Sequence, residues 1–185
     1  MFLLAITPGL GFDRPRWSAV LRSGVDGLLI REKQLETRVL LDATAWCRDT
    51  SPEVALWVAG RLDVALAAGC GLHAPEAYPE VPPGLVSLSR PLHAETQWEA
   101  RKDCGQLLVS PVFESPGKGE PWGAARLRRF LDSLPPTGPR MLALGGVDPA
   151  NASMLRHPRL AGVAAIRPFW AGDPRLAVTA FRDGG

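Results

Sequence analysis

The sequence lacks a long hydrophobic run, a disulfide or zinc-site pattern, and a strong excess of charge. No apolar stretch approaches the roughly 18 residues that span a bilayer. No basic residue precedes the apolar residues 2–7, which therefore indicate a buried strand and not a signal peptide. The three cysteines, Cys47, Cys70 and Cys104, form no CxxC pair, so we interpret them as buried thiols. With a net charge of only +2, we expect a cytoplasmic protein with no membrane or nucleic-acid partner.

What the sequence does contain is a regular alternation of short apolar runs and helical stretches. The 185 residues, 46 % of them hydrophobic, suffice for a single domain over residues 1–185. Eight buried strands are predicted, at residues 2–7, 27–30, 54–59, 71–73, 85–88, 106–110, 141–144 and 160–166. Continuous apolar runs of this length are typical of parallel strands buried on both faces.

Helical stretches follow most of these runs, at residues 17–23, 34–48, 61–68, 94–103, 123–133, 149–156 and 174–182. Eight strand–helix units predict an α/β fold, a compact (β/α)8 TIM barrel. The proline-rich residues 74–84 predict that the fourth helix is reduced or missing. An open doubly wound sheet is the alternative, but no GxGxxG follows the first strand.

In such a barrel, functional residues follow the strands, so the residues after each run are the candidates for a site. Several are cationic, including Arg31, Lys33, Lys118 and Arg167. The turn Gly145-Gly146 follows the seventh run, where small residues let backbone N–H groups approach an anion and a following helix would favour it. These positions predict a small phosphate ester as the ligand.

His93 is the candidate acid/base because it stands near the fifth run, at the predicted mouth of the barrel. Imidazole groups titrate near neutrality and can therefore both give and take a proton. His73, at the end of the fourth run, is interpreted as a structural strand-end histidine. No Ser-His-Asp or Cys-His arrangement follows from the spacing.

Together, an ordered set of motifs resembles the thiamin phosphate synthase/TenI superfamily over almost the whole chain. The matching stretches are Ile30-Arg31-Glu32-Lys33, Gly71-Leu72-His73, Leu92-His93-Ala94-Glu95, Ser110-Pro111-Val112-Phe113-Glu114, Leu144-Gly145-Gly146-Val147 and Gly162-Val163-Ala164. The resemblance implies a TIM barrel that binds phosphorylated ligands.

Departures from the motifs separate two branches of this superfamily. The synthase branch uses a magnesium ion held by aspartates, and Gly60 and Tyr78 occupy the positions that match them. Leu29 replaces a glutamine of the same branch. Because magnesium requires hard oxygen ligands, the resemblance favours the TenI branch, with no metal and no cofactor. The alternative is a synthase with an altered metal site, in which Glu76 or Glu80 supplies the missing carboxylate.

The TenI resemblance implies a thiazole tautomerase of thiamin biosynthesis, which aromatises a carboxythiazole phosphate by proton transfer. It also implies that His93 is the acid/base, that Arg31 and Lys33 hold the carboxylate or line the pocket, and that the backbone of Gly145-Gly146 holds the phosphate. A homodimer is a family expectation. Pro91 and Pro168 depart from the TenI pattern, and Arg167 is expected to compensate for the N–H that Pro168 lacks. These departures also keep open a non-catalytic TenI-like binding or regulatory protein.

Overall fold

Eight parallel strands close into a barrel in the computed structural model, which describes residues 1–184. The strands are β1 Phe2–Ile6, β2 Gly27–Ile30, β3 Ala55–Ala59, β4 Gly71–His73, β5 Leu88–Leu92, β6 Gln106–Val109, β7 Arg140–Leu144 and β8 Leu160–Ala165. The helices are α1 Arg14–Leu21, α2 Thr37–Thr50, α3 Leu62–Ala68, α4 Trp98–Arg101, α5 Gly123–Ser133, α6 Arg167–Trp170 and α7 Pro174–Gly184. Each strand pairs with its neighbours in sequence, and β8 pairs with β1. The predicted compact TIM barrel is therefore confirmed.

The fourth helix is missing, as predicted. β4 and β5 are joined by an irregular segment, residues 74–87, in place of a helix. Tyr78, Val81 and Val86 of this segment pack against the buried Leu72 and cover the outer face that a helix would have covered. Only two residue pairs, Leu72–Leu88 and His73–Ser89, join the two strands. Few contacts therefore connect β4 and β5 in this part of the barrel.

The prediction of a fifth strand at residues 85–88 was wrong. β5 runs from Leu88 to Leu92 and so includes Arg90 and Pro91. Proline suggested a loop because it has no N–H for the sheet. Backbone groups of β5 alternate between the two neighbouring strands, and those of Pro91 face the β4 side, where β4 has already ended. The Arg101 guanidinium donates a hydrogen bond to the Pro91 carbonyl oxygen, which a neighbouring strand would otherwise have bonded.

Two helix predictions also need correction. In place of a helix at 149–156 there is one turn of 3-10 helix, Ala152–Leu155. The helix at 94–103 is a 3-10 turn, Glu95–Gln97, followed by the single-turn α4. An unpredicted short helix, α6, begins at Arg167, two residues after the end of β8. The argument that a helix dipole after Gly145-Gly146 attracts phosphate therefore no longer holds.

Besides the small cluster around Leu72, the core has two main parts. Side chains in the barrel interior, from Leu4, Leu29, Trp57 and Leu142 among others, form one cluster, and a larger cluster lies between the strands and the helices. Gly162 of β8 lies against the backbone of β1, where a Cβ atom would come 1.9 Å from the carbonyl oxygen of Phe2. A side chain at this position is incompatible with closure of the barrel. Within residues 1–184, no helix is long and apolar enough to cross a membrane.

Candidate active site

All of the predicted site residues lie beyond the carboxyl ends of strands. Arg31 directly follows β2, His93 follows β5, Gly145-Gly146 follows β7, and Arg167 comes two residues after β8. The remaining two, Lys33 and Lys118, lie in the loops after β2 and β6. In a TIM barrel this is the face that carries the chemistry.

The imidazole of His93 has one nitrogen engaged and one available. Nδ1 lies 2.8 Å from the carbonyl oxygen of Ser110, which can only accept, so Nδ1 carries the hydrogen in the neutral ring. Nε2 therefore presents its lone pair, 3.7 Å from the nearer carboxylate oxygen of Glu76. The His93 side chain is 42 % exposed. This geometry suits a general base that is open to a ligand.

A network that the sequence did not reveal holds this histidine in place. The Oε1 atom of Gln97 accepts from the His93 backbone N–H at 2.7 Å and from Arg101 at 2.9 Å. Glu76 accepts from Arg101 at 2.6 Å and from the Gln97 amide at 2.8 Å. The hydrogen bond from Arg101 holds the pKa of the Glu76 carboxyl below its usual range. The regular spacing of residues 93, 97 and 101 is the only sequence signal of this network.

The glutamate of the Arg31-Glu32-Lys33 motif is structural. Glu32 is buried, and its carboxylate accepts from the backbone N–H groups of Gly9 at 3.0 Å and Gly11 at 2.7 Å. The loop after β1 is thereby tied to the end of β2. Arg31 and Lys33, on either side of Glu32, are exposed. The motif thus combines one buried anchor with two cations at the barrel mouth.

Gly145 and Gly146 lie directly beneath the loop that follows β6. Their φ angles are +96° and +64°, a region that favours glycine. A Cβ atom on Gly146 would come 2.5 Å from the Glu114 carbonyl oxygen, and one on Gly145 would come 2.7 Å from Pro111. Close packing alone therefore requires both glycines. Gly146 is nevertheless exposed, so its backbone remains accessible to an anion.

The four predicted cations are exposed at the barrel mouth. Arg31 is close enough to His73 to act on its charge. Within residues 1–184, no side-chain hydrogen bond or ion pair joins Lys33, Lys118 or Arg167 to His93 or to one another. That these cations converge on one ligand therefore stays a prediction.

The donor set at the mouth does not fit a magnesium ion. Gly60 has no side chain, and the hydroxyl of Tyr78 accepts from the Leu62 backbone N–H at 3.3 Å. The Glu76 carboxylate is held by Arg101, and that of Glu32 by backbone N–H groups. In the described part of the chain, no group of three or more His, Cys, Asp or Glu side chains is arranged to hold a metal.

A separate cavity of about 610 Å³ lies at the opposite end of the barrel. It is lined by residues that include Phe2, Arg22, Asp26, Glu53 and Arg140. This is the amino end of the strands, where residues of TIM barrels serve stability. We therefore assign the site to the carboxyl end.

Comparison with known proteins identifies the family. The family model for thiamine monophosphate synthase matches residues 14–169. A thiamine-phosphate synthase of Archaeoglobus fulgidus is 31 % identical over 168 residues, which cover 83 % of this chain and 77 % of the relative. One from Albidiferax ferrireducens is 29 % identical over 180 residues, with 89 % and 81 % covered. These names favour the synthase hypothesis over the tautomerase hypothesis.

Solved structures support the fold. A thiamine phosphate pyrophosphorylase from Pyrococcus furiosus superimposes with a TM-score of 0.84 at 22 % identity, covering 99 % of this chain and 94 % of the other. A 3-hexulose-6-phosphate synthase superimposes with a TM-score of 0.65 at 15 % identity, covering 100 % and 99 %. With the family model matching well over half of the residues, the chain belongs to the thiamine monophosphate synthase/TenI family, an enzyme family of thiamine biosynthesis.

Proposed function

We propose that this chain is a metal-independent tautomerase that aromatises a carboxythiazole phosphate. The observation that carries the proposal is the environment of His93. One ring nitrogen is held by a backbone carbonyl, while the other is open at the carboxyl end of the barrel. A single group of this kind suffices for an isomerisation, which consumes no co-substrate.

The proposed reaction consists of two proton transfers. Nε2 of His93 takes a proton from a ring carbon of the non-aromatic substrate, and the electron pair of that C–H bond moves into the ring. The resulting imidazolium returns a proton to the exocyclic carbon, and the ring becomes aromatic. His93 ends in its starting state, so the transfers balance without an oxidant or reductant.

The carboxylates at the mouth support the tautomerase over the synthase. A magnesium-dependent reaction requires carboxylates that are free to bind the ion. Both oxygens of the Glu32 carboxylate, and Oε1 of Glu76, accept hydrogen bonds from the chain itself. Gly60 and Tyr78 supply no carboxylate at the positions of the family's aspartates.

Thiamin phosphate synthase is the second candidate, and the names of the two curated relatives favour it. In this case Glu76 would have to leave Arg101, or Glu80 would have to turn towards the barrel mouth. The ion pair of Glu76 with Arg101 opposes the first movement, because it would leave a largely buried guanidinium without its charged partner.

One pair of assays separates the candidates. The purified chain is incubated with the non-aromatic carboxythiazole phosphate in the presence of EDTA, and conversion is followed by NMR. A parallel reaction contains the pyrimidine pyrophosphate, the thiazole phosphate and magnesium. We expect conversion in the first and no thiamin phosphate in the second. A first reaction no faster than buffer refutes the tautomerase, and thiamin phosphate in the second establishes the synthase.

Arg167→Ala is expected to weaken binding of the aromatic carboxythiazole phosphate about tenfold, the value of one charge-assisted hydrogen bond. Its guanidinium is exposed beside β8, where Pro168 offers no N–H to a phosphate. Calorimetry measures the affinity. Arg22→Ala, at the amino end of the barrel, is the matched control and should bind like the wild type. Equal affinities for all three proteins would remove Arg167 from the phosphate site.

A further inference from the structure

A buried chain of hydrogen bonds leads from the barrel interior to its mouth through Gln106, Ser89 and His73. These residues lie opposite one another on β6, β5 and β4. The Gln106 amide nitrogen donates to the Ser89 hydroxyl oxygen at 3.3 Å, and this oxygen lies 3.0 Å from Nδ1 of His73. Gln106 and Ser89 are 3 % and 1 % exposed, so solvent does not compete for these bonds.

The direction of the chain determines which nitrogen of His73 carries the hydrogen. An amide nitrogen can only donate, so the Ser89 oxygen accepts from Gln106. The Ser89 hydroxyl is then free to donate its own hydrogen to Nδ1 of His73. Within residues 1–184, Nδ1 of His73 is the acceptor within hydrogen-bond distance of this hydroxyl, so we infer that Nδ1 accepts and that the hydrogen of the neutral ring is on Nε2. This is the opposite tautomer to that of His93.

The surroundings keep His73 uncharged. Burial and the nearby positive charges of Arg31 and Arg90, together with His93, lower the pKa of His73 to about 4. Near neutral pH the ring therefore holds one hydrogen. The known bonds of the residue use Nδ1 and the backbone carbonyl, which accepts from Gly60 at 2.9 Å. Within residues 1–184, Nε2 has no hydrogen-bond partner, which leaves it free for a ligand.

We propose that His73 is a second catalytic residue: its uncharged imidazole donates the Nε2 hydrogen bond to the negative charge that develops on the substrate as His93 removes the proton. This inference rests on the proposed function. The C–H bond breaks and the N–H bond of His93 forms, while His73 keeps its own hydrogen throughout. Neutral imidazoles polarise substrates in this way in isomerases.

The two histidines then have complementary roles, which are set by the hydrogen-bond partners of their Nδ1 atoms. The Ser110 carbonyl makes His93 an acceptor at Nε2, and the Ser89 hydroxyl makes His73 a donor at Nε2. Arg31, which lies close to His73, is placed to hold a carboxylate beside it. A ligand that offers both an acidic C–H and an adjacent anion matches this pair, and a carboxythiazole phosphate is such a ligand.

A first experiment tests the tautomer without any enzyme assay. Nitrogen-15 NMR of the wild-type chain between pH 5 and pH 8 should show His73 with hydrogen on Nε2 throughout. Addition of the aromatic carboxythiazole phosphate should shift the Nε2 resonance. Ser89→Ala removes the donor to Nδ1 and should give a mixture of tautomers. Hydrogen on Nδ1 in the wild type, or an Nε2 resonance that the ligand does not move, overturns the inference whatever the activity.

A second experiment tests the catalytic role. His73→Leu should lower kcat roughly 10- to 100-fold, as expected for the loss of one donor to developing charge, while KM changes less than about twofold. His73→Gln, whose amide can still donate, should recover part of kcat. Circular dichroism confirms that both variants fold. Equal kcat losses in the two variants contradict the donor role. If the wild type itself shows no turnover, the tautomerase proposal fails, and the NMR results alone decide whether His73 contacts the ligand.

Discussion

Replacing His93 by alanine is expected to slow the aromatisation of the carboxythiazole phosphate by roughly 10² to 10⁴-fold, the usual contribution of a general acid/base. Both proton transfers of the proposed reaction pass through Nε2 of this residue. The loss should appear in kcat, because the cations expected to bind the substrate are untouched by the substitution. Conversion followed by NMR at saturating substrate measures it.

His157→Ala is the matched control for this experiment. Its Nε2 pairs with Asp132 at 3.0 Å, in the segment that leads into the amino end of β8, away from the barrel mouth. The control variant should therefore convert substrate at the wild-type rate. A His93→Ala rate within about threefold of the wild type, far below the usual loss, would show that another group carries the proton.

Gly162→Ala is expected to destabilise the fold by about 3 kcal/mol or more, at the upper end for overpacking. The new Cβ atom would lie 1.9 Å from the Phe2 carbonyl oxygen and 2.6 Å from its carbonyl carbon. These are backbone atoms of β1, so no side chain can turn away to relieve the contact. β1 and β8 must separate, and the barrel is closed by that pair. The midpoint of thermal unfolding should fall by roughly 6–12 °C.

Gly172→Ala provides the control for this substitution. Gly172 is exposed, and its added Cβ atom would meet nothing within 4 Å. Its unfolding midpoint should therefore match that of the wild type. Midpoints for Gly162→Ala and Gly172→Ala that agree within error would contradict the close approach of β8 to β1.

The strand order of the barrel could be predicted because a parallel strand buried on both faces leaves a continuous apolar run, such as Gly27–Ile30. β5 escaped this pattern. It includes the polar Ser89, and also Pro91, whose missing N–H is tolerated because β4 ends early and Arg101 occupies the vacant side. No local pattern reports on the length of a neighbouring strand.

The sequence predicted where the candidate residues lie along the fold, but not which groups they contact. A TIM barrel places any residue after a strand at the mouth, so His93 and Arg31 could be located from the sequence. The hydrogen bonds that choose the tautomers of His93 and His73 come from a backbone carbonyl and from a serine of the mispredicted strand. Such partners are brought together only by the closed fold, and His73 was accordingly interpreted as structural.

The short pairing of β4 with β5 bears on how ligand binding and folding are connected. Elements with few mutual contacts open first in native-state fluctuations, and here the two strands concerned carry His73 and precede His93. A ligand that contacts both histidines would bridge β4 and β5, the two strands with few contacts between them. Ligand binding would then stabilise this part of the barrel against local opening. The substrate would hold β4 and β5 together, as a fourth helix does in a complete barrel.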